Sequence, residues 1–286
     1  MVLGVIFMKE WLRKGLIIGL VLVLLGSIGI SVYKSIQSQK SAQTYDEAKE
    51  LVNADNLQES RPEPESAAAE QEEPEVWQEA PVYDDPYMDT LEEMDLAALR
   101  EINPDVVGWI VIPDTQLDYP LMYSGDNQYY LEHTWKKEPS SAGSIFLEQY
   151  NSTDLSDFNT IVYGHRMLNG SMFASLKYYN QQDYWNSHPY VYILDDAGAH
   201  RYEIFSAYEA SVTGSTYRLG ITEDADKQSF LDDCLSWSVI DTDVIPTVRD
   251  RILTLSTCTG KGYETRWVVQ ARLAAAIEGK TTGNES

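Results

Sequence analysis

From Gly15 to Val32 the sequence runs GLIIGLVLVLLGSIGISV, eighteen residues without a charge. As a helix rising about 1.5 Å per residue it would be roughly 27 Å long, close to the hydrocarbon thickness of a bilayer. Two other uses of such a run fit less well. A core helix at the surface of a soluble domain shows a polar face, and this stretch has none. A cleaved signal peptide ends in a small-x-small site, whereas Tyr33-Lys34-Ser35-Ile36-Gln37 follows here. The expectation is a transmembrane signal anchor at 15–32. Lys9, Arg13 and Lys14 favour a cytoplasmic N-terminus at 1–14 and an extracellular remainder on the cell membrane, a contrast that Lys34 and Lys40 weaken.

Charge divides the rest of the chain. The 286 residues carry 21 Lys plus Arg against 45 Asp plus Glu, a formal net charge of −24, which argues against nucleic acid as a partner because phosphate neutralisation needs a basic surface. An apolar fraction of 43 %, with 19 Tyr, 6 Phe and 7 Trp, is too rich for a wholly disordered acidic chain. Residues 1–40 are net +4, residues 41–88 are net −12 and the remainder is net −16. The middle segment combines Pro62, Pro64, Pro74, Pro81 and Pro86 with Glu70-Gln71-Glu72-Glu73 and has few large apolar residues. Such a composition buries too little surface to offset its ordering entropy, so 33–87 reads as an acidic, solvated stalk, a spacer rather than a binding tail, with transient helix at Tyr45 to Leu57.

Residues 88–275 have the size of one domain, followed by a flexible tail at 276–286. Leu91, Met94, Ala98, Leu99 and Ile102 recur near helical spacing over Met88 to Ile102, and Asn103-Pro104 stops that helix. Short strand-like runs follow at Val106 to Ile112, Gln116 to Met122, Ser144 to Phe146, Thr160 to Tyr163, Val191 to Leu194, Tyr202 to Ala210, Ile252 to Thr257 and Arg266 to Leu273. Their recurrence between Gly, Asp and Asn residues indicates a mostly β sandwich or barrel. Two helical insertions are expected, Ser171 to Tyr179 and Thr222 to Trp237, the second with Thr222 as N-cap and Phe230, Leu231, Cys234 and Leu235 on one face.

Of the two cysteines, Cys234 falls mid-helix on an apolar face, where a buried free thiol is common. Cys258 instead ends the strand Thr254-Leu255-Ser256-Thr257-Cys258, beside the loop Thr259-Gly260-Lys261-Gly262, where a rigid scaffold presents reactive groups. Export permits a Cys234–Cys258 disulfide, which would make both structural. His133, His165, His188 and His200 make no ligand-spaced pair with one another or with a cysteine, and phosphate-binding glycine patterns are absent, so neither metal nor cofactor is expected. His165 follows the strand ending at Tyr163-Gly164 and so also sits at a strand end. Arg266 begins the strand that pairs with the Cys258 strand if the two form a hairpin. Beside a thiol, such a guanidinium can stabilise a thiolate or an oxyanion.

These residues resemble a known family. Thr254-Leu255-Ser256-Thr257-Cys258 is similar to the signature of sortases, the Gram-positive cysteine transpeptidases, and Arg266 resembles their essential arginine. Tyr163-Gly164-His165-Arg166-Met167 with Gly170-Ser171-Met172-Phe173 resembles the histidine segment of class B sortases. The likeness extends through Asn103-Pro104-Asp105-Val106-Val107-Gly108-Trp109-Ile110, Asp118-Tyr119-Pro120-Leu121 and Gly125-Asp126-Asn127-Gln128-Tyr129-Tyr130-Leu131. It implies a closed β-barrel of about eight strands, an N-terminal helix and a helix in the long connection before the cysteine strand. It implies further that Cys258 attacks the carbonyl after Thr in a C-terminal sorting motif of a secreted protein. The thioacyl enzyme is then resolved by the amine of a lipid-linked peptidoglycan precursor. His165 would be general acid and then base, and Arg266 would hold the carbonyl and its oxyanion. Tyr163, Ser256, Asn127 and Leu131 would line the substrate groove. Between Cys258 and Arg266 the only carboxylate is Glu264, so no acidic member of a triad is assigned. Other readings are a pilin-polymerising sortase using a lysine amine, a non-catalytic wall-binding module, and a hydrolytic cysteine protease.

Overall fold

A computed structural model describes residues 2–54, 57 and 85–276, which fall into two compact units, Met1–Gln43 and Thr44–Ser286. Helix α1 (Val2–Val52) supplies the first unit and enters the second. Within the first unit Leu16 to Val32 are exposed throughout, and the helix contains a window apolar and long enough to cross a membrane, none of it buried. An unburied apolar surface of that length is stable only in an apolar solvent or against a partner.

In the second unit the last turns of α1 are part of the fold. Tyr45, Ala48 and Val52 recur at helical spacing and all are buried. The Tyr45 hydroxyl donates to the Gly143 carbonyl at 2.5 Å, Trp135 Nε1 donates to the Thr44 carbonyl at 2.7 Å, and Lys49 pairs with Asp118 at 2.7 Å. Of the segment expected as stalk, residues 33–52 are therefore helical, with Tyr45, Ala48 and Val52 in the core, and Ala54 and Leu57 are buried as well. Averaged composition hid these few apolar positions among the acidic ones. Residues 58–84 lie outside the described residues, as do 277–286 of the expected tail.

The expected helix at Met88 to Ile102 is two short helices, α2 (Pro86–Glu92) and α3 (Leu96–Ile102). Asp95 restarts the helix by accepting from the backbone N–H groups of Ala97 and Ala98. Eight strands follow: β1 (Val106–Val111), β2 (Asp118–Met122), β3 (Ile145–Leu147), β4 (Asn159–Tyr163), β5 (Tyr190–Asp195), β6 (Gly198–Ser211), β7 (Ile252–Cys258) and β8 (Thr265–Ala276). They close into a barrel in the order β1-β2-β3-β4-β7-β8-β6-β5, with β1 pairing back onto β5. The fold is thus mostly β, a closed barrel of eight strands, as expected. Closure removes the open edges that a sheet this size would otherwise expose.

The first helical insertion is a 3-10 segment, Phe173–Asn180, followed by the short α4 (Gln182–Ser187). The second, α5 (Asp224–Trp237), lies between β6 and β7 and follows a 3-10 turn at Ser215–Tyr217. Its N-cap is Glu223 rather than Thr222, without a side-chain cap. Phe230, Leu231 and Cys234 of α5 pack with Phe205, Tyr208, Ile252 and Val268 into a second cluster, separate from the main core. Along β7 the side chains alternate, so Ile252, Thr254, Ser256 and Cys258 point to the α5 side.

Candidate active site

Two strands decide the site. β4 and β7 run parallel with Tyr163 opposite Ser256, so both end at the same rim and deliver His165 and Cys258 to it. Their ends are joined beyond the ladder: Gly164 N–H donates to the Ser256 carbonyl at 3.3 Å, and the Thr257 hydroxyl donates to the Gly164 carbonyl at 2.7 Å. Only glycine fits at 164. A Cβ there would stand 2.5 Å from Ile145 Cδ1 and 2.8 Å from the Phe173 ring.

β7 and β8 form the expected antiparallel hairpin, in which Cys258 is directly opposite Arg266. Cys258 is half-buried, Cys234 is fully buried, and neither is disulfide-bonded. The hydrogen bond with His165 is the main influence holding the Cys258 thiol below its ordinary value; partial burial opposes it, and the charges of Arg266, His165 and Arg166 add to it. Reciprocally, His165 is raised, first by its bond to Cys258 and then by the Leu131 carbonyl, against desolvation. The two groups thus hold each other toward a thiolate–imidazolium pair.

The imidazole is oriented by backbone. Its Nε2 lies 2.8 Å from the Leu131 carbonyl. A carbonyl only accepts, so Nε2 carries a proton and Nδ1 is the nitrogen left to exchange one. The orienting role that a carboxylate fills in many cysteine enzymes is filled here by a main-chain oxygen, presented by the 3-10 turn Tyr129–Leu131. Arg266 is held by its own loop: Nη1 donates to the Tyr263 carbonyl at 3.0 Å and the Thr265 carbonyl at 2.9 Å. These bonds fix one arm of the fork beside Cys258.

The four expected groove residues divide. Leu131 contributes its carbonyl to His165 while its side chain stays partly exposed. Ser256 is buried beneath Cys258, its hydroxyl 2.9 Å from that of Tyr217. Tyr163 and Asn127 meet on one buried carboxylate: Tyr163 donates to Glu148 Oε2 at 2.8 Å and Asn127 Nδ2 to the same oxygen at 2.6 Å. Asn127 Oδ1 in turn accepts from Gln149 N–H at 2.9 Å. Burial and the Glu148 carboxylate push the Tyr163 hydroxyl well above its ordinary value, so it remains a donor at any physiological pH. Three residues at the site escaped the sequence reading: Glu148, Tyr217 and Arg166, whose Nη1 donates to the Thr259 carbonyl. Only Arg166, adjacent to His165, had a sequence cue. Among the described residues no group of three or more His, Cys, Asp and Glu side chains is placed to hold a metal ion.

A thiol paired with an imidazole, beside a guanidinium at a barrel rim, is equipped for nucleophilic acyl transfer. The comparisons with known proteins agree. The family profile "Sortase domain" matches residues 110–274. Sortase B of Listeria monocytogenes serovar 1/2a is 40 % identical over 181 residues, which is 63 % of this chain and 74 % of that protein. The Staphylococcus aureus sortase B–substrate complex matches with a TM-score of 0.59 and 34 % identity, covering 67 % of this chain and 86 % of that one. A sortase B complexed with triglycine matches with a TM-score of 0.59 and 35 % identity, covering 64 % and 85 %. The barrel and these matches define an enzyme, a cysteine transpeptidase of the type that anchors proteins to the cell wall. The chain belongs to the sortase family, and its relatives and structural neighbours are class B sortases.

Proposed function

We propose that the chain cleaves a C-terminal sorting motif of secreted proteins after Thr and transfers the acyl group to a cell-wall precursor amine, with Cys258, His165 and Arg266 as its catalytic residues. Cys258 Sγ attacks the threonine carbonyl carbon, forming the C–S bond, and Arg266 balances the charge on the oxyanion. As the C–N bond breaks, His165 gives its proton to the departing nitrogen. The incoming amine then attacks the thioester, His165 takes the amine's proton, and the C–S bond breaks to restore the thiolate. The observation that carries this reading is the rim itself, where the parallel β4–β7 pair brings His165 and Cys258 to the same end and β8 sets Arg266 directly opposite Cys258. A thioester keeps the acyl group activated, and an amine, a stronger nucleophile than water, captures it where water is kept away.

The solved relatives support both halves of the reaction, since one sortase B is described in complex with substrate and another with triglycine, a short peptide with a free amine. The apolar helix serves as the membrane anchor at 15–32, with residues 1–14 cytoplasmic. The acidic segment that follows the anchor, whose Tyr45, Ala48 and Val52 pack into the core, leads into the catalytic domain on the extracellular side. The groove walls are Asn127, Leu131, Tyr163 and Ser256, the last acting through the floor beneath the thiol. Incubating the protein with a sorting-motif peptide library and candidate amines, read by mass spectrometry, is expected to yield a thioacyl adduct on Cys258 and an amine-capped product. Cys258→Ala is expected to abolish both. Hydrolysed product that no amine diverts would overturn the transpeptidase reading in favour of a protease.

A further inference from the structure

Cys258 and His165 come from different strands, and the chain holds each on both sides. Before the two residues, the Thr257 hydroxyl donates to the Gly164 carbonyl at 2.7 Å. After them, Arg166 Nη1 donates to the Thr259 carbonyl. The bonds join the predecessor of one residue to the predecessor of the other, and the successor of one to the successor of the other. The second bond is needed where it stands. β7 ends at Cys258, so the Thr259 carbonyl has left the ladder, and the next residues turn through Gly260 and Gly262, both with positive φ. Other ties in this loop run elsewhere: the Thr259 hydroxyl lies 3.3 Å from that of Thr265, and Lys261 pairs with Glu209. Arg166 is the contact that turns the loop toward the histidine. Gly260 leaves it room, since a Cβ there would meet Arg166 Nη2 at 3.2 Å.

We infer that Arg166 is a positioning residue that brackets the nucleophile, fixing the peptide after Cys258 to the residue after His165 so that thiol and imidazole stay within reach of each other through the reaction. The bracket suits a site whose histidine takes its orienting hydrogen bond, among the described residues, from a backbone carbonyl. A charge-assisted hydrogen bond to a carbonyl is roughly twice as strong as a neutral one, and a planar fork resists rotation better than an ammonium does. The Arg166 charge also adds to those of Arg266 and His165 in holding the Cys258 thiol down. The charged and titratable groups facing that sulfur are His165 and Arg166 after β4, Arg266 on β8 and Tyr217 of the 3-10 turn.

The inference rests on Cys258 being the nucleophile, and its test does not require a known substrate. Alkylation of Cys258 by iodoacetamide is followed against pH in the wild type, Arg166→Gln, Arg166→Lys, His165→Ala and the double variant Arg166→Gln/His165→Ala, with thermal unfolding alongside. Both Arg166 variants are expected to alkylate several-fold more slowly at neutral pH while unfolding within a few degrees of the wild type. The double variant is expected to be little slower than His165→Ala alone, because Arg166 acts through the thiol–imidazole pair. With a sorting peptide, Arg166→Gln lowers kcat and leaves KM unchanged. Wild-type alkylation in Arg166→Gln would overturn the bracket. So would full recovery in Arg166→Lys, or strictly additive losses in the double variant, since either leaves a charge effect without positioning. Slowed, non-additive alkylation in a protein that fails to transpeptidate would uphold the bracket and reject the proposed activity instead.

Discussion

Cys234 and Cys258 occupy one domain and have opposite chemistry. Cys234 lies in the middle of α5, fully buried against Phe205, Tyr208 and Val268, and its sulfur accepts a hydrogen bond from the Tyr208 hydroxyl at 3.5 Å. Burial is the main cause that pushes its thiol up to about 11. Cys258 ends β7, half-buried at the rim, and the His165 bond followed by the guanidinium charges pulls its thiol down. The difference is one of address. A thiol inside a packed helix–sheet cluster behaves as a small apolar group, whereas at a strand end it meets whatever neighbouring strands present there. The barrel's parallel β4–β7 pair and antiparallel β7–β8 pair put an imidazole on one side of Cys258 and a guanidinium on the other.

The most direct way to break this contrast is to react both thiols in one sample. Iodoacetamide at neutral pH is expected to label Cys258 completely before Cys234 is detectably modified, with both labelled once guanidinium chloride unfolds the chain. Peptide mass mapping reads the outcome, and labelling of Cys234 in the folded protein would remove the distinction. Substitution completes the test: Cys234→Ala leaves transpeptidation intact but costs about 1–2 kcal/mol of stability through the cavity left in the α5 cluster. That loss is measured by chemical denaturation.

A smaller effect is expected from His165, since it tunes the thiol without being the nucleophile. Catalysis needs Cys258 deprotonated and His165 protonated. The rate therefore falls toward acid pH as the sulfur takes a proton and toward alkaline pH as the ring loses one, and the lowered thiol and raised imidazole widen the range in which both forms coexist. The expected profile is bell-shaped. In His165→Gln the rate drops by about 10²–10⁴-fold, and the alkylation midpoint of Cys258 moves upward, toward that of an isolated thiol. A midpoint that did not move would mean that His165 does not hold the thiolate, and that the contrast between the two cysteines comes from burial and the arginines alone.

Much of this was legible in the sequence, and the limits are physical. All eight strands carried their own signal because each is a short β-type run bounded by turn residues. The segments carrying the thiol, the histidine and the arginine were visible because each sits at a strand end. The helical last turns of α1 packed in the domain were obscured because Tyr45, Ala48 and Val52 are diluted among acidic neighbours, although their spacing is helical. The break between α2 and α3 had a local cue in Asp95, a residue suited to an N-cap. What orients His165 had no cue at all, since a backbone carbonyl at Leu131 has no residue type. Glu148 was hidden for a different reason: it is apart from Tyr163 in sequence and meets it only through the antiparallel β3–β4 pair.

That carboxylate supplies the finest test of how far the special environment of Cys258 extends. Glu148 N–H bonds to the Ile161 carbonyl, so Tyr163, two residues further along β4, is its diagonal neighbour and within reach. One oxygen, Oε2, accepts from both Tyr163 and Asn127. Glu148→Gln keeps the shape of the side chain but removes its charge: with the amide oxygen in the Oε2 position both contacts become weaker neutral hydrogen bonds, and the amide nitrogen in the Oε1 position faces the Tyr150 N–H as a second donor. If the groove wall is positioned from this point, KM for the sorting peptide rises several-fold while the alkylation profile of Cys258 stays that of the wild type. Tyr163→Phe, which removes one contact and leaves the other, is expected to fall between. A shifted alkylation profile in Glu148→Gln would show instead that the buried carboxylate belongs to the thiol's own electrostatic surroundings. The boundary between the reactive centre and its groove would then lie one shell further out than the hydrogen bonds suggest.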